Sequence, residues 1–121
     1  MEPKECYEAF GGDYMDAFQR LQSDALIKRF ALKFLSDPSF EMLESAVEKK
    51  DYEEAFRAAH TLKGVSQNLG FKELGDASSL ITEALRDRTK AVDEEQCDRL
   101  MGQVKAAYDK TTGAIRMMSE A

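Results

Sequence analysis

The chain has 121 residues, which suits a single domain, and its 23 acidic and 17 basic residues give a formal net charge of −6. An acidic chain of this kind is not expected to bind a nucleic-acid backbone. It contains one histidine, His60, which excludes an HExxH zinc helix and any site with several histidine ligands. Any chemistry that requires an imidazole must therefore use His60.

The first part of the chain predicts two short helices within about residues 3–20. Gly11 and Gly12 separate them, and Asp13 is a suitable N-cap residue for the second. Ser23 is expected to cap a third helix, whose apolar residues recur at helical spacing.

The central part of the chain predicts two more helices. Pro38 suits the first turn of one helix, which is expected to end near Lys50. Asp51 is expected to cap the next, over residues 52–69, and Gly70 to end it in a left-handed conformation.

The remaining sequence completes an all-helical pattern. Residues 71–88 repeat the helical spacing, and Asp93 opens a last helix that extends to about Met118. No segment shows the period-two alternation of a strand, and short connections favour antiparallel neighbours. The sequence therefore predicts an all-α domain: an up-and-down antiparallel four-helix bundle over about residues 23–118, with short extra N-terminal helices.

The cysteines and the N-terminus bear on the cellular compartment. Cys6 and Cys97 have neither a metal-ligand nor a redox spacing, so we expect reduced thiols. The first ten residues lack the basic and apolar regions of a signal peptide, and no apolar run approaches 18 residues. We therefore expect a cytoplasmic protein without membrane association.

The helix over residues 52–69 determines where His60 points. At about 100° per residue, the apolar side chains of this helix lie on the side opposite His60. They are Ala55, Ala58, Leu62, Val65 and Leu69. A lone histidine in a helix is more often a half-buried structural residue, but this phase predicts that His60 faces solvent or a partner.

The neighbours of His60 indicate the kind of chemistry. Those nearest to it on its face are Phe56, Lys63, Gly64 and Gln67. A mid-helix glycine costs about 1 kcal/mol relative to alanine, and Gly64 leaves room for another molecule to approach the imidazole. Lys63 places a cation where an anion bound to the ring would lie, and Arg57 and Lys72 add positive charge to this region. The combination indicates a nucleophilic imidazole that carries a phosphoryl group and meets an acidic partner.

Residues 59–70 read AHTLKGVSQNLG, which resembles the signature AHxLKGxxxxLG of histidine-containing phosphotransfer (HPt) domains. The resemblance is specific over this helix and extends, through the number and spacing of helices, over about residues 20–118. It implies a four-helix bundle and reversible phosphorylation of His60 by exchange with receiver-domain aspartates. Lys63 would stabilise the phosphoryl oxygens, and Gly64 would give the receiver steric access.

The resemblance also implies residues that support the site. Members of the family often have a polar residue about 22 positions after the histidine, which hydrogen-bonds near the active imidazole. Here that position is Thr82, which is shorter than the glutamine often found there. The contact is therefore expected from Thr82, from a bridging water or from Gln67. Phe56 and Arg57 are expected to contact the partner, although Phe56 is equally suited to packing against an adjacent helix.

The function implied by the resemblance is that of a phosphorelay intermediate rather than an enzyme. His60 would accept a phosphoryl group from a receiver-domain aspartate of a hybrid sensor kinase and pass it to an aspartate of a response regulator. The sequence has no glycine-rich nucleotide-binding motif, so we expect no autonomous kinase activity. We expect no cofactor, no bound metal, no nucleic-acid or membrane partner, and a free-standing bacterial-type monomer.

Three other interpretations stay open at this point. A non-catalytic helical adaptor would bind signalling proteins through the same face without phosphotransfer. The phosphotransfer domain of a chemotaxis-type kinase would be accompanied by dimerisation and ATP-binding regions, which we do not expect in a chain with one bundle. An enzyme acting on a small molecule would need convergent carboxylates beside the single histidine.

Overall fold

The computed structural model describes residues 1–87 and 90–119, and within these segments the chain forms seven α-helices and no strand. The helices are α1 (Pro3–Phe10), α2 (Tyr14–Leu21), α3 (Asp24–Phe34), α4 (Ser39–Glu48), α5 (Tyr52–Asn68), α6 (Lys72–Ala84) and α7 (Glu94–Ser119). The prediction of an all-helical fold is confirmed. No helix in the described segments is long and apolar enough to cross a bilayer.

Helices α4 to α7 form the bundle, in which α5 packs against both α4 and α6. Helix α7 packs against α6 and α4 and closes the bundle. The three N-terminal helices cover one side, since α1 packs on α7, α3 contacts both α1 and α7, and α2 packs against α3. The buried side chains of all seven helices form one continuous core, so the N-terminal helices and the bundle share their apolar interior.

The helix starts follow the N-cap residues that the sequence predicted. Each capping side chain accepts a hydrogen bond from the backbone N–H three residues later; these residues are Asp13, Ser23, Asp51 and Asp93. Gly70 has a φ of +72°, which confirms the predicted left-handed residue after α5. One start differs: α4 begins at Ser39 rather than at Pro38, because the Asp37 carboxylate accepts a hydrogen bond from the Ser39 N–H.

Helix α6 is shorter than the predicted span of residues 71–88. The N–H groups of Leu85 and Arg86 bond to carbonyls three residues back, which tightens the last turn and ends the helix. Arg88, which the pattern included in the helix, lies outside the described residues.

Three hydrogen bonds join the segment around the α1–α2 turn to the α5–α6 turn, and we call them the N-terminal latch. They are Tyr7 Oη to Leu69 O at 2.7 Å, Asp13 N to Gly70 O at 2.7 Å, and Glu73 N to Gly11 O at 3.2 Å. A Cβ atom at Gly70 would lie 2.7 Å from the Asp13 carbonyl oxygen. Glycine is therefore required there by the close approach of two backbones as well as by its positive φ.

Candidate functional site

Helix α5 carries His60 on its exposed face, as the positions of its apolar residues predicted. The buried side chains of the helix are Ala55, Ala58, Ala59, Leu62 and Ser66. Val65 and Leu69, which were predicted to lie in the core, are only partly buried. Ala59 and Ser66 are fully buried instead, because the core-facing stripe is turned towards the flank on which α6 packs.

The ring of Phe56 lies against His60, one helical turn before it. The two ring centroids are 6.0 Å apart and the planes are inclined by 24°. Phe56 is partly buried and packs against the core, and the guanidinium carbon of Arg86 lies 5.3 Å from the centre of its ring. Phe56 therefore packs against the end of α6 and also presents an aromatic surface beside the imidazole.

Lys63 and Gly64 follow His60 by one turn. Lys63 is partly buried, and a Cβ atom built on Gly64 would meet no atom within 4 Å among the described residues. The packing of α5 therefore does not require a glycine at this position, and the helix itself would be more stable with alanine. The absence of a side chain at Gly64 leaves the surface beside His60 open to another molecule.

The positive charge predicted around His60 is partly neutralised. Arg57 forms ion pairs with Glu53 and Glu54 on its own helix. Lys72 pairs with Asp76 at 2.9 Å, which raises the pKa of the Lys72 ammonium group. The expectation that these two residues make the region basic is corrected accordingly, because both cations have carboxylate partners.

The two residues predicted to support the imidazole lie in different environments. Thr82 is fully buried, and its hydroxyl donates to the carbonyl of Ser78, one turn earlier in α6, at 2.6 Å. Gln67 is exposed, two turns after His60, and its Cγ atom would lie 3.5 Å from a Cβ on Gly75 in α6. The Thr82 hydroxyl therefore donates its proton within its own helix, and Gln67 lies at the surface.

The antiparallel register of α5 and α6 explains the position of Thr82. Phe56 meets Arg86 at one end of the pair, and Gln67 meets Gly75 at the other. The residue numbers in each contact add up to 142, and those of His60 and Thr82 add up to the same value. Thr82 is therefore level with His60 along the helix pair, but its side chain points into the core.

A charged pair on α6 and its last turn completes the surroundings of His60, and the sequence did not predict it. Glu83 accepts two hydrogen bonds from Arg86, from Nε at 2.9 Å and from Nη2 at 3.0 Å. These bonds lower the pKa of the Glu83 carboxyl; the charges of Arg86, Lys63 and His60 act in the same direction, against partial desolvation. The register of α5 and α6 was the missing signal, because it places Arg86 beside Phe56.

The surface next to Phe56 is a groove rather than an enclosed pocket. It has a volume of about 470 Å³ and is lined by Glu53, Phe56, Arg57 and Arg86. Within residues 1–87 and 90–119, no three His, Cys, Asp or Glu side chains are grouped so that they could hold a metal ion. An exposed imidazole beside a cation and an open position can exchange a small charged group with a second protein.

A comparison with protein families agrees with this geometry. The model of the Hpt domain matches residues 35–114, about two thirds of the chain, and this range includes His60. The chain belongs to the Hpt domain family. Hpt domains carry out histidine phosphotransfer in two-component signalling and interact with receiver domains of kinases and response regulators.

The family match covers the later helices of the chain and not the first three. It begins at Leu35, directly after α3, and includes α4 to α6 and most of α7. Helices α1 to α3, and with them the Tyr7 end of the N-terminal latch, precede the match. No curated protein and no solved structure shows significant similarity to the chain.

Proposed function

We propose that this Hpt domain is a phosphorelay intermediate. His60 accepts a phosphoryl group from an aspartyl phosphate of the receiver domain of a hybrid sensor kinase and passes it to an aspartate of a response regulator. The observation that carries the proposal is the exposed imidazole of His60 with Lys63 and the open position at Gly64 one turn away. Membership of the Hpt family supports histidine phosphotransfer by this chain. We add the direction of the relay and the kinds of protein at its two ends.

The transfer step exchanges one bond to phosphorus for another. A nitrogen of the neutral imidazole attacks the phosphorus of the aspartyl phosphate, the N–P bond forms as the P–O bond breaks, and the receiver recovers its carboxylate. Onward transfer reverses these events with a second receiver. Such a reaction requires mainly alignment and neutralisation of charge, so the domain acts as a carrier without kinase activity of its own.

The remaining residues of the face have supporting parts in this proposal. Lys63 places its ammonium group beside the phosphoryl oxygens, and Gly64 lets the receiver approach the ring closely. Phe56 and Arg57 contact the receiver next to the imidazole. Thr82 packs in the core at the level of His60. Gln67 supplies the polar contact near the imidazole at the surface.

The test uses purified receiver domains that carry a radioactive aspartyl phosphate. We expect the label to move to the Hpt domain, to be acid-labile and alkali-stable there, and to be absent from His60→Gln. Label that persists in His60→Gln would overturn the assignment of the acceptor. Receiver binding without label transfer to the wild-type protein would indicate an adaptor instead.

A further inference from the structure

Glu83 and Arg86 form an ion pair that adjoins His60 through Phe56. The carboxylate and the guanidinium share two hydrogen bonds, and the guanidinium carbon lies 5.3 Å from the centre of the Phe56 ring. The Phe56 ring in turn lies 6.0 Å from the imidazole of His60. Both members of the pair are exposed, so the core of the protein does not require their charges.

Lys63 also interacts electrostatically with Glu83. The charges of Lys63 and of His60 both favour the ionised form of the Glu83 carboxyl, after the larger effect of Arg86. The Glu83 carboxylate therefore interacts both with Lys63 on α5 and with Arg86 in the turn that follows α6. Arg57, three residues before His60, is engaged by carboxylates of its own helix.

A phosphoryl group on His60 changes the balance of charge at this place. It carries close to two negative charges near neutral pH and has three acceptor oxygens. Lys63 lies one turn after His60, Arg86 packs on the Phe56 ring beside it, and both cations already interact with Glu83. The phosphoryl group and the carboxylate therefore repel each other and require the same partners.

Building on the proposed function, we propose that Glu83 competes with the phosphoryl group of phosphorylated His60 for Lys63 and Arg86. Glu83 thereby raises the free energy of the phosphorylated state and keeps the group ready to leave. In this role Glu83 sets the lifetime of the phosphorylated state, because it favours release of the group to an aspartate or to water over its retention. Arg86 acts in the opposite direction and stabilises the phosphorylated state.

The experiment measures the lifetime of the phosphorylated imidazole without a receiver. Phosphoramidate phosphorylates the protein chemically: an N–P bond to His60 forms as the P–N bond to the departing ammonia breaks. Decay is then followed by ³¹P NMR, as water takes the phosphoryl group, inorganic phosphate leaves and the imidazole is restored. We expect Glu83→Gln to lengthen the half-life by roughly twofold to fivefold, the range for an interaction between two exposed charges.

Two further variants separate this effect from general changes in charge. Asp109→Asn on α7 removes the same charge from another exposed ion pair, with Lys105, and should leave the half-life unchanged. Arg86→Met keeps an aliphatic chain over Phe56 and should shorten the half-life. The effect of Glu83→Gln should diminish at high salt, because exposed charges are screened there.

The outcomes distinguish this inference from the proposed function. Equal half-lives in the wild type and Glu83→Gln, or equal changes in Glu83→Gln and Asp109→Asn, would overturn the role of Glu83. Failure of receivers to exchange label with His60, while Glu83→Gln still lengthens the half-life, would overturn the relay function and leave the charge competition intact.

Discussion

The hydroxyl of Tyr7 donates a hydrogen bond to the main-chain carbonyl of Leu69 across 62 positions of sequence, with an oxygen–oxygen distance of 2.7 Å. Tyr7 belongs to α1, and Leu69 caps the helix that carries His60. The Tyr7 side chain is fully buried, and this burial raises the pKa of its hydroxyl above the ordinary value. A segment outside the matched family region therefore holds the end of the functional helix.

This bond predicts a measurable loss of stability in Tyr7→Phe. The substitution leaves the Leu69 carbonyl without its buried donor, so we expect the free energy of unfolding to fall by about 1–2 kcal/mol. Urea denaturation measures it. Tyr14→Phe is the control, because the Tyr14 hydroxyl bonds to Asp24 at an exposed position and its removal should cost less. Equal losses in the two variants would contradict the importance of the latch.

Gly64→Ala is predicted to change stability and phosphotransfer in opposite directions. A methyl group there meets nothing in the described structure and removes the helix penalty of glycine, so stability should rise by about 0.5–1 kcal/mol. The same methyl group obstructs a receiver, so the transfer rate should fall by about tenfold or more. Thermal unfolding and a label-transfer time course measure the two effects.

Gly102→Ala is the matched control for this prediction. Gly102 lies in the middle of α7, and an added Cβ likewise meets no described atom within 4 Å. We expect the same gain in stability with no change in transfer. A transfer rate in Gly64→Ala equal to that in Gly102→Ala would show that the receiver does not approach this position closely.

Lys63→Gln is predicted to slow acceptance of the phosphoryl group by roughly tenfold, because an ammonium group no longer faces the transferred oxygens. Lys63→Arg keeps the charge and should retain more of the rate. The measurement is the initial rate of label transfer from a phosphorylated receiver. Lys110→Gln, at an exposed lysine paired with Glu73, should behave as the wild type, and a matching loss of rate in that variant would reject a local role for Lys63.

Thr82 and Gln67 are predicted to affect phosphotransfer differently. Thr82→Val preserves the shape of a buried side chain and removes a hydroxyl that bonds within α6, so transfer should change less than about twofold. Gln67→Ala removes a surface amide on the His60 face and should slow transfer more than Thr82→Val does. The ratio of the two transfer rates is the readout; the reverse order would assign the polar contact to Thr82.

The stability of the domain is predicted to fall at alkaline pH. Burial raises the pKa of the Cys6 thiol from 9.0 to about 11, and burial also raises that of the Cys97 thiol. The unfolded chain releases these protons first, so stability is fully present below about pH 9 and is lost as the pH rises towards 11. Urea denaturation at several pH values measures the slope, at most about 1.4 kcal/mol per pH unit for each proton. Cys6→Ala should reduce the slope, and an unchanged slope would assign the loss to other groups.

Local signals in the sequence predicted much of the fold. The helix starts at Asp13, Ser23 and Asp51 were predictable because an N-cap bond involves residues only three apart. The exposure of His60 was predictable because the helical period relates it directly to Ala58 and Leu62 on the opposite side. These features depend on one helix at a time.

The features that the sequence did not reveal depend on how two helices meet. The helical spacing of residues 71–88 says nothing of what Arg86 contacts, and only the register of α5 against α6 places it on Phe56. The same register turns Thr82 into the core at the level of His60. The bond from Tyr7 to Leu69 joins positions too distant for any periodic pattern to relate.

The packing of α1 on α7 has a consequence for the order of events on the ribosome. Cys6, Tyr7 and Phe10 are buried side chains of α1, and α7, the helix that α1 packs on most extensively, begins only at Glu94. At typical rates of synthesis the intervening residues take roughly 5 to 15 s to be made. During that interval the apolar face of α1 can pack against Phe71 but not yet against α7. Completion of this domain is therefore a late, cooperative event that unites its earliest and its most recently synthesised helices.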